Sequence, residues 1–365
     1  MTGMPLPPFS EAHETLRREL REFVETELRP HAAEWEAARW FPNEVFERMA
    51  ERGYLGLKYP VEHGGRGGDY LDDAVLTEEL SRCGSGGLAA GVGAHIGIAT
   101  PPVWKFGTDD QKRRFLAPAI RGERIAALGI TEPGAGSDVA GLRTSARRID
   151  GGFVVNGSKT FITNGVRADF VVTAVKTTDE GGHHGLSFLL IEKEMEGYGV
   201  SRKLEKLGWH ASDTAELSFQ DVCVPDENLL GQENRGFYLI MANFQWERLV
   251  MALGAVASME RLVERLVDAG APRHATAEAA VKLEASRCLT YHALRLFAAD
   301  VNAIREVTQA KLLSQRSAFE VADEAFRLLD GDVEVGRALR DTRLGPIGGG
   351  TDEVMKEILS KQLGL

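Results

Sequence analysis

A chain of 365 residues, 43% hydrophobic and 27% charged, has the composition of a globular protein with a sizeable core and two or three domains or subdomains. Its net charge of −11, from 43 basic against 54 acidic residues and with no basic run, argues against nucleic-acid binding. Three dispersed cysteines (Cys83, Cys223, Cys288) imply neither a disulfide framework nor a zinc site. The N-terminal stretch has no apolar signal core and no run of apolar residues spans a bilayer, so a cytoplasmic protein is expected.

Taken in chain order, residues 10–122 read as helices. Ser10 can cap a helix over EAHETLRRELREFVETEL, whose Leu16, Leu20, Phe23 and Leu28 form one stripe, and Pro30 ends it. A second helix is predicted after Pro42-Asn43, a third over 72–82 and a fourth after Thr108-Asp109, with a loop HGGRGGD at 63–69. The small residues of 84–100 suit a tightly packed buried helix. Near residue 125 the period shortens to that of strands. IDGGFVVNGSKTFITNG (149–165) reads as strand, Asn-Gly turn, strand, Asn-Gly turn, with a hairpin at Asn156-Gly157. Residues 168–175, 185–192 and 215–224 continue the β pattern. From Gly236 onward the chain is helical, with a glycine-rich break at 345–353. The expected class is α+β: an N-terminal helical domain (1–122), a central β-barrel-like domain (123–228) and a C-terminal helical bundle (229–365).

One residue contradicts its local pattern. From Asn234 to Met259 a long apolar run has helical spacing, and Glu247 is its only carboxylate. Its same-face neighbours are Asn243, Phe244, Val250 and Met251. A carboxylate in such company is desolvated, its pKa rises, and it can accept a proton near neutral pH. The alternative is a solvated strip of Glu247 and Arg248, or a pairing with a distant cation. Two loops could hold a ligand. In ITEPGAGSD (130–138) glycines allow close backbone approach, and Thr131 and Ser137 offer hydroxyls. GGGTDEVMKEIL (348–359) feeds a helix with Thr351 at its N-cap, an end suited to phosphate or a carbonyl oxygen. Each also reads as an ordinary turn. Phe161-Ile162-Thr163 sets an aromatic and a hydroxyl on one strand face, a pattern that simple packing also produces. Phosphate-loop, dinucleotide, zinc-protease and serine-hydrolase signatures are absent.

Together these segments resemble the acyl-CoA dehydrogenase family over nearly the whole chain. The likeness rests on YPVEHGG (59–65), FGTDDQKRRFLAPAIRGE (106–123), ITEPGAGSDVAGLRT (130–144), NGSKTFITNG (156–165), SFQDVCVPDENLLGQENRG (218–236), Arg340-Asp341 and GGGTDEVMKE (348–357). The resemblance implies bound FAD, an acyl thioester substrate (acyl-CoA or acyl carrier protein-bound), electron-transferring flavoprotein as acceptor, and a homodimer or homotetramer. By position it implies that Leu128, Ile130, Thr131, Phe161, Ile162 and Thr163 surround the flavin, with Ser137 at the cofactor or the pantetheine arm. Thr351, Asp352 and Glu353 would meet the cofactor's phosphate and ribityl region, and Arg248 the substrate's CoA end. Many members carry the base where this chain has Gly349. The long-chain and isovaleryl subgroups keep it on the earlier helix, in a Glu-Arg-Leu context that FQWERLVMA (244–252) resembles. Glu247 would then remove the α-proton while a hydride leaves the β-carbon, with Gly349 and Gly350 N–H groups on the thioester oxygen.

Two segments depart from the family. Its Arg-x-x-Phe-Gly and downstream Gln, which reach FAD across the subunit interface, are reduced to Arg273 in DAGAPRHATAEAAVKLEAS (268–286), where Pro272 interrupts the helix. Its Gln-x-x-Gly-Gly-x-Gly-Tyr becomes LLDGDVEVGR (328–337). These losses leave open an acyl-CoA oxidase using dioxygen and a non-catalytic member with weakened FAD binding; a flavin monooxygenase has no use for Glu247.

Overall fold

The computed structural model describes residues 8–178 and 184–365. Its N-terminal part is eight short helices: α1 Glu11–Phe23, α2 Ala32–Ala38, α3 Glu44–Glu51, α4 Tyr70–Ser81, α5 Gly86–Gly93, α6 Thr100–Phe106, α7 Asp109–Gln111 and α8 Ala117–Ile120. The predicted stripe on α1 is buried, and it continues through a π-helical turn, Val24–Leu28. Pro30 does not end the helical course as expected. It sits in a single 3₁₀ turn, Arg29–His31, where its missing N–H costs little, and α2 resumes directly after it. The small-residue stretch is buried helix as expected, α5 passing through a π-helical turn, Ala94–Ala99, into α6.

Eight strands follow: β1 Ala126–Gly129, β2 Ser145–Ile149, β3 Gly152–Thr163, β4 Phe170–Lys176, β5 Leu186–Glu192, β6 Tyr198–Lys203, β7 Thr214–Pro225 and β8 Leu229–Leu230. They form one mixed sheet in the order β6-β7-β3-β2-β4-β5-β8, with β1 parallel beside β4. Strand alternation divides its side chains between two cores. Val171, Val175, Leu189 and Ile191 pack with Phe153, Val155, Leu217 and Phe219 in a core lined mainly by strands. Phe170, Val172, Ala174, Phe188 and Leu190 pack instead against Val103, Phe115, Leu116, Leu239 and Ile240 of the helices.

The hairpin expected at Asn156-Gly157 is absent. β3 runs straight through these residues, and the reversal lies between β2 and β3 at Asp150-Gly151. Asn156 instead binds Asp221 of β7 through both ends of its amide, at 2.8 and 2.9 Å. Gly157, at φ +148, accommodates β2: a Cβ there would stand 2.6 Å from Thr144 Oγ1. The second Asn-Gly pair does turn the chain, with Asn164 at φ +63.

The C-terminal part comprises α9 Gly236–Asp268, α10 Arg273–Ala298, α11 Ile304–Leu328, α12 Val333–Thr342 and α13 Asp352–Gln362. Pro272 does not interrupt a helix; it is the N-cap of α10, a boundary where its fixed φ is tolerated. Helical and strand parts are tied by a fully buried ion pair, Arg167 Nε donating to Asp213 Oδ1 at 2.6 Å. Arg167 Nη1 also reaches the Phe41 carbonyl, at 3.0 Å. Among the described residues no helix is long and apolar enough to cross a membrane.

Candidate active site

Helix α9 carries Leu239 and Ile240 into the core shared with the sheet, and Trp246, Leu249 and Leu253 into the core shared with the N-terminal helices. Glu247 stands on the helix between these sets. Its Oε2 is buried with no hydrogen-bond partner, while the side chain as a whole remains partly exposed. Desolvation pushes the carboxyl up to about 7, against the opposing pull of Arg248 and Lys311. The solvated-strip alternative therefore fails, and so does a direct pairing with a distant cation. One turn back, Asn243 Nδ2 donates to the Ile98 carbonyl at 3.1 Å. The Arg248 guanidinium lies 5.5 Å from the Phe244 ring centroid, and its Nε is buried without a partner.

The glycine-rich break packs against the turn of α9 that follows Glu247. Gly349 and Gly350 take φ of +62 and +92, which only glycine adopts freely. A Cβ at Gly349 would lie 3.3 Å from Met251 Cγ, and one at Gly350 would lie 4.0 Å from Arg248 Nη2. Gly348 and Asp352 donate their N–H groups to Leu344 and Pro346 carbonyls. Among the described residues those of Gly349 and Gly350 meet no protein acceptor. Thr351 is the N-cap of α13 as expected, its Oγ1 accepting from Val354 N at 3.3 Å. Asp352 is half engaged: Oδ2 accepts from Arg316 Nε at 2.7 Å, and Oδ1 is buried without a partner. Glu353 is exposed, its carboxyl lowered by the helix N–H and the Thr351 hydroxyl.

The loop 130–138 is held from below by a buried pair. Lys159 Nζ donates to Glu132 Oε1 at 2.8 Å and to the Ile130 carbonyl at 3.1 Å, and Glu132 also accepts from Arg143 N and Thr144 N. Lys159→Met would leave Glu132 buried without its cation, and urea unfolding is expected to register a loss of about 3 kcal/mol. Leu128 and Ile130, both half-buried, pack on the core that includes Leu239 and Ile240, where Phe244 also packs. Thr131 accepts from Thr160 N at 2.9 Å through its carbonyl, and Ser137 is exposed. Next to Thr160, β3 bulges and Phe161 adopts φ +59 with its ring 69% exposed. An aromatic in this backbone region costs about 1–3 kcal/mol, strain that a site for a planar ligand would justify. Thr163 is half-buried, whereas Ile162 faces the strand-lined core and presents no side chain to a ligand.

Arg273 is not brought to this cluster. It is exposed at the start of α10, beyond the far end of α9, and α9 runs on from Glu247 to Asp268, about 30 Å of helix. The shortened stretch after α11 is a closed turn. Asp332 caps α12 by accepting from Glu334 N and Val335 N, and Arg265 occupies its other oxygen.

Sequence reading missed Lys311, whose Nζ donates to the carbonyls of Gly345 at 2.8 Å and Gly350 at 2.6 Å. A signal existed: on α11 it shares the helical stripe of Val307, Ala310, Ser314 and Ala318, all buried.

Three family models cover the chain: acyl-CoA dehydrogenase N-terminal domain at 10–123, middle domain at 127–222 and C-terminal domain at 234–364. The mouse (Mus musculus) long-chain specific acyl-CoA dehydrogenase is 35% identical, over 97% of this chain and 87% of its own length. Isovaleryl-CoA dehydrogenase of Solanum tuberosum is 33% identical over 97% and 91%. Among solved structures, acyl-CoA dehydrogenase from Geobacillus kaustophilus matches with TM-score 0.94 and 36% identity over 99% of this chain and 100% of the other. A structure described as an electron transferring flavoprotein of Acidaminococcus fermentans matches with TM-score 0.94 and 32% identity over 98% and 99%. The FAD complex of PigA matches with TM-score 0.94 and 25% identity over 99% and 100%. A helical–β–helical fold with these matches defines an oxidoreductase of the acyl-CoA dehydrogenase type. The chain belongs to the acyl-CoA dehydrogenase family. FAD is the group bound in the PigA neighbour. The residues present fit that group: an exposed, strained Phe161, a capped helix N-terminus at Thr351 and unfilled space around Gly134 are features a flat dinucleotide can use.

Proposed function

We propose that the protein catalyses α,β-dehydrogenation of an acyl thioester, carried by CoA or by an acyl carrier protein, with Glu247 as the base. The observation that carries the reading is the carboxylate of Glu247: one oxygen is buried and unpartnered, and desolvation holds its pKa at about 7. An acid so placed is about half ionised at neutral pH and poised to take a weakly acidic proton. Glu247 removes the α-proton, the β-hydrogen departs with its electron pair, and the carbon–carbon double bond forms between them. FAD, when bound, would supply the two-electron acceptor for that hydride, with electron-transferring flavoprotein as the onward acceptor.

The chain's own groups do the rest. The free N–H groups of Gly349 and Gly350 receive the thioester oxygen as negative charge develops on it, which acidifies the α-carbon. Arg248, part of whose guanidinium is buried without a partner, orients the CoA end. Leu128, Ile130, Thr131, Phe161 and Thr163 would surround the flavin ring and keep water from it, with Ser137 at the rim. Thr351, Asp352 and Glu353 would meet the cofactor's phosphate and ribityl region. Arg273 serves the neighbouring subunit of a homodimer or homotetramer. The apolar furrow of Leu289, Leu312, Leu313 and Leu359 supports such an assembly in a protein placed in the cytoplasm, and sedimentation is expected to give a dimer or larger.

Anaerobic mixing of the FAD-loaded protein with saturated acyl-CoAs of graded chain length tests the reading. Bleaching of the flavin band by at least one member is expected, and a panel that leaves the band untouched overturns it. Subsequent admission of air separates a dehydrogenase, slow to reoxidise, from an oxidase, which recovers its band within seconds.

A further inference from the structure

Helix α11 buries two polar side chains one turn apart, Lys311 and Gln315, and neither has a part in the chemistry described so far. Lys311 is fully buried, and its ammonium donates to the Gly345 and Gly350 carbonyls at 2.8 and 2.6 Å. Gln315 Nε2 donates to the Met251 carbonyl at 2.5 Å, one turn beyond Glu247 on α9. The two side chains therefore fasten the glycine loop and the base-bearing helix to one rigid face. A buried lysine is costly to keep charged, and apolar side chains would fill the same space without that cost. Its retention needs a reason beyond packing.

We infer that Lys311 is a positioning residue for the proton transfer: it braces both ends of the glycine loop against the base-bearing helix and places a buried positive charge that favours the ionised base. The inference rests on Glu247 being the base. Two carbonyls pulled toward one ammonium hold the peptide units that bracket the loop, Gly345-Pro346 and Gly350-Thr351, and between them the Gly349 and Gly350 N–H groups meet no protein acceptor among the described residues. The charge acts through space. The groups facing it are Glu247 and Arg248 on α9 and Asp352 and Glu353 on α13, with Arg316 of α11 itself paired to Asp352. Lys311 and Arg248 both pull the Glu247 carboxyl down from where desolvation alone would leave it. Burial lowers Lys311 itself to about 8, so it is cationic at the pH 6 where the exchange rate is read.

A 3-thiaacyl-CoA, which has α-protons but no β-hydrogen, reads proton removal apart from oxidation. Its α-proton exchange into deuterium oxide, followed by NMR on the FAD-loaded enzyme, gives the pH midpoint of the base. Lys311→Met is expected to slow exchange at least about tenfold at pH 6 and to move the midpoint up by roughly one unit, whereas Lys311→Arg keeps the midpoint. A slowed rate with an unmoved midpoint would reduce Lys311 to packing, and an unchanged rate would remove it altogether; either overturns the inference. Should the Met variant fail to fold, Lys311→Gln, which keeps an amide donor without the charge, is held to the same shift. Glu247→Gln run alongside keeps the two readings apart. If that variant still exchanges, the base assignment has failed; if it is silent while Lys311→Met keeps the wild-type midpoint, only the role of Lys311 has.

Discussion

Glu247→Gln is expected to bind FAD and acyl-CoA as the wild type does and to lose turnover by about 10²–10⁴-fold, the usual contribution of a positioned general base. The amide is nearly isosteric, so the apolar surroundings of Asn243, Phe244 and Val250 need not move. What disappears is the basicity of the carboxylate, since an amide oxygen cannot hold the α-proton near neutral pH. The same variant carries a stability signature of opposite sign. Burial raises the carboxyl from 4.5 unfolded to about 7 folded, so the folded state holds the proton more tightly. The wild type is therefore at full stability below the unfolded value and loses stability as pH rises through the folded one. Glutamine escapes that loss. Above pH 8 the variant should unfold at higher urea concentration than the wild type, by on the order of 2–3 kcal/mol, and below pH 4.5 the two should converge. Loss of activity with no gain at high pH would mean that the carboxylate was never desolvated.

The largest stability effect is expected from Asp213→Ala. Asp213 accepts from Arg167 Nε at 2.6 Å and from Val166 N at 2.7 Å, and both charged side chains are fully buried. Removing the carboxylate strands a guanidinium that, among the described residues, keeps only the Phe41 carbonyl and the Asn43 side-chain oxygen as acceptors, besides the Trp40 and Phe41 rings. A loss of about 3–5 kcal/mol follows from the uncompensated charge. The function should suffer with it, since the turn held by Asp213 directly follows Phe161 and Thr163. Urea midpoints and FAD retention measured together are expected to fall together. A loss under about 1 kcal/mol would show that water reaches the guanidinium, against its complete burial here.

What could be read in advance follows from how local each signal is. The desolvation of Glu247 was legible because it is the only carboxylate in the apolar run from Asn234 to Met259, which is continuous in sequence. The Thr351 cap was legible for the same reason: its partner, Val354, lies three residues on. Asn156-Gly157 misled because the interaction that decides it is not local. Asn156 binds Asp221, 65 residues downstream, and the pairing strand β7 carries β3 through the would-be turn. Pro30 and Pro272 were read as breaks, yet both stand where a helix begins or bends and no N–H is needed. Lys311 went unread because a lysine's charge ordinarily predicts a solvated face. Its acceptors, Gly345 and Gly350, lie 34 and 39 residues away, at positions only the folded bundle brings together. The motif resemblance gave the order of helical and strand parts, but not the distance of Arg273 from Glu247 within one chain.

Stopped-flow bleaching of bound FAD by a saturated acyl-CoA, in a single anaerobic turnover across the pH range, tests the assignment of Glu247 most directly. The account predicts a rate that climbs with pH along one ionisation centred at about 7 and then levels. A rate that stays flat, or one centred near the 4.5 of an ordinary solvated glutamate, would contradict it.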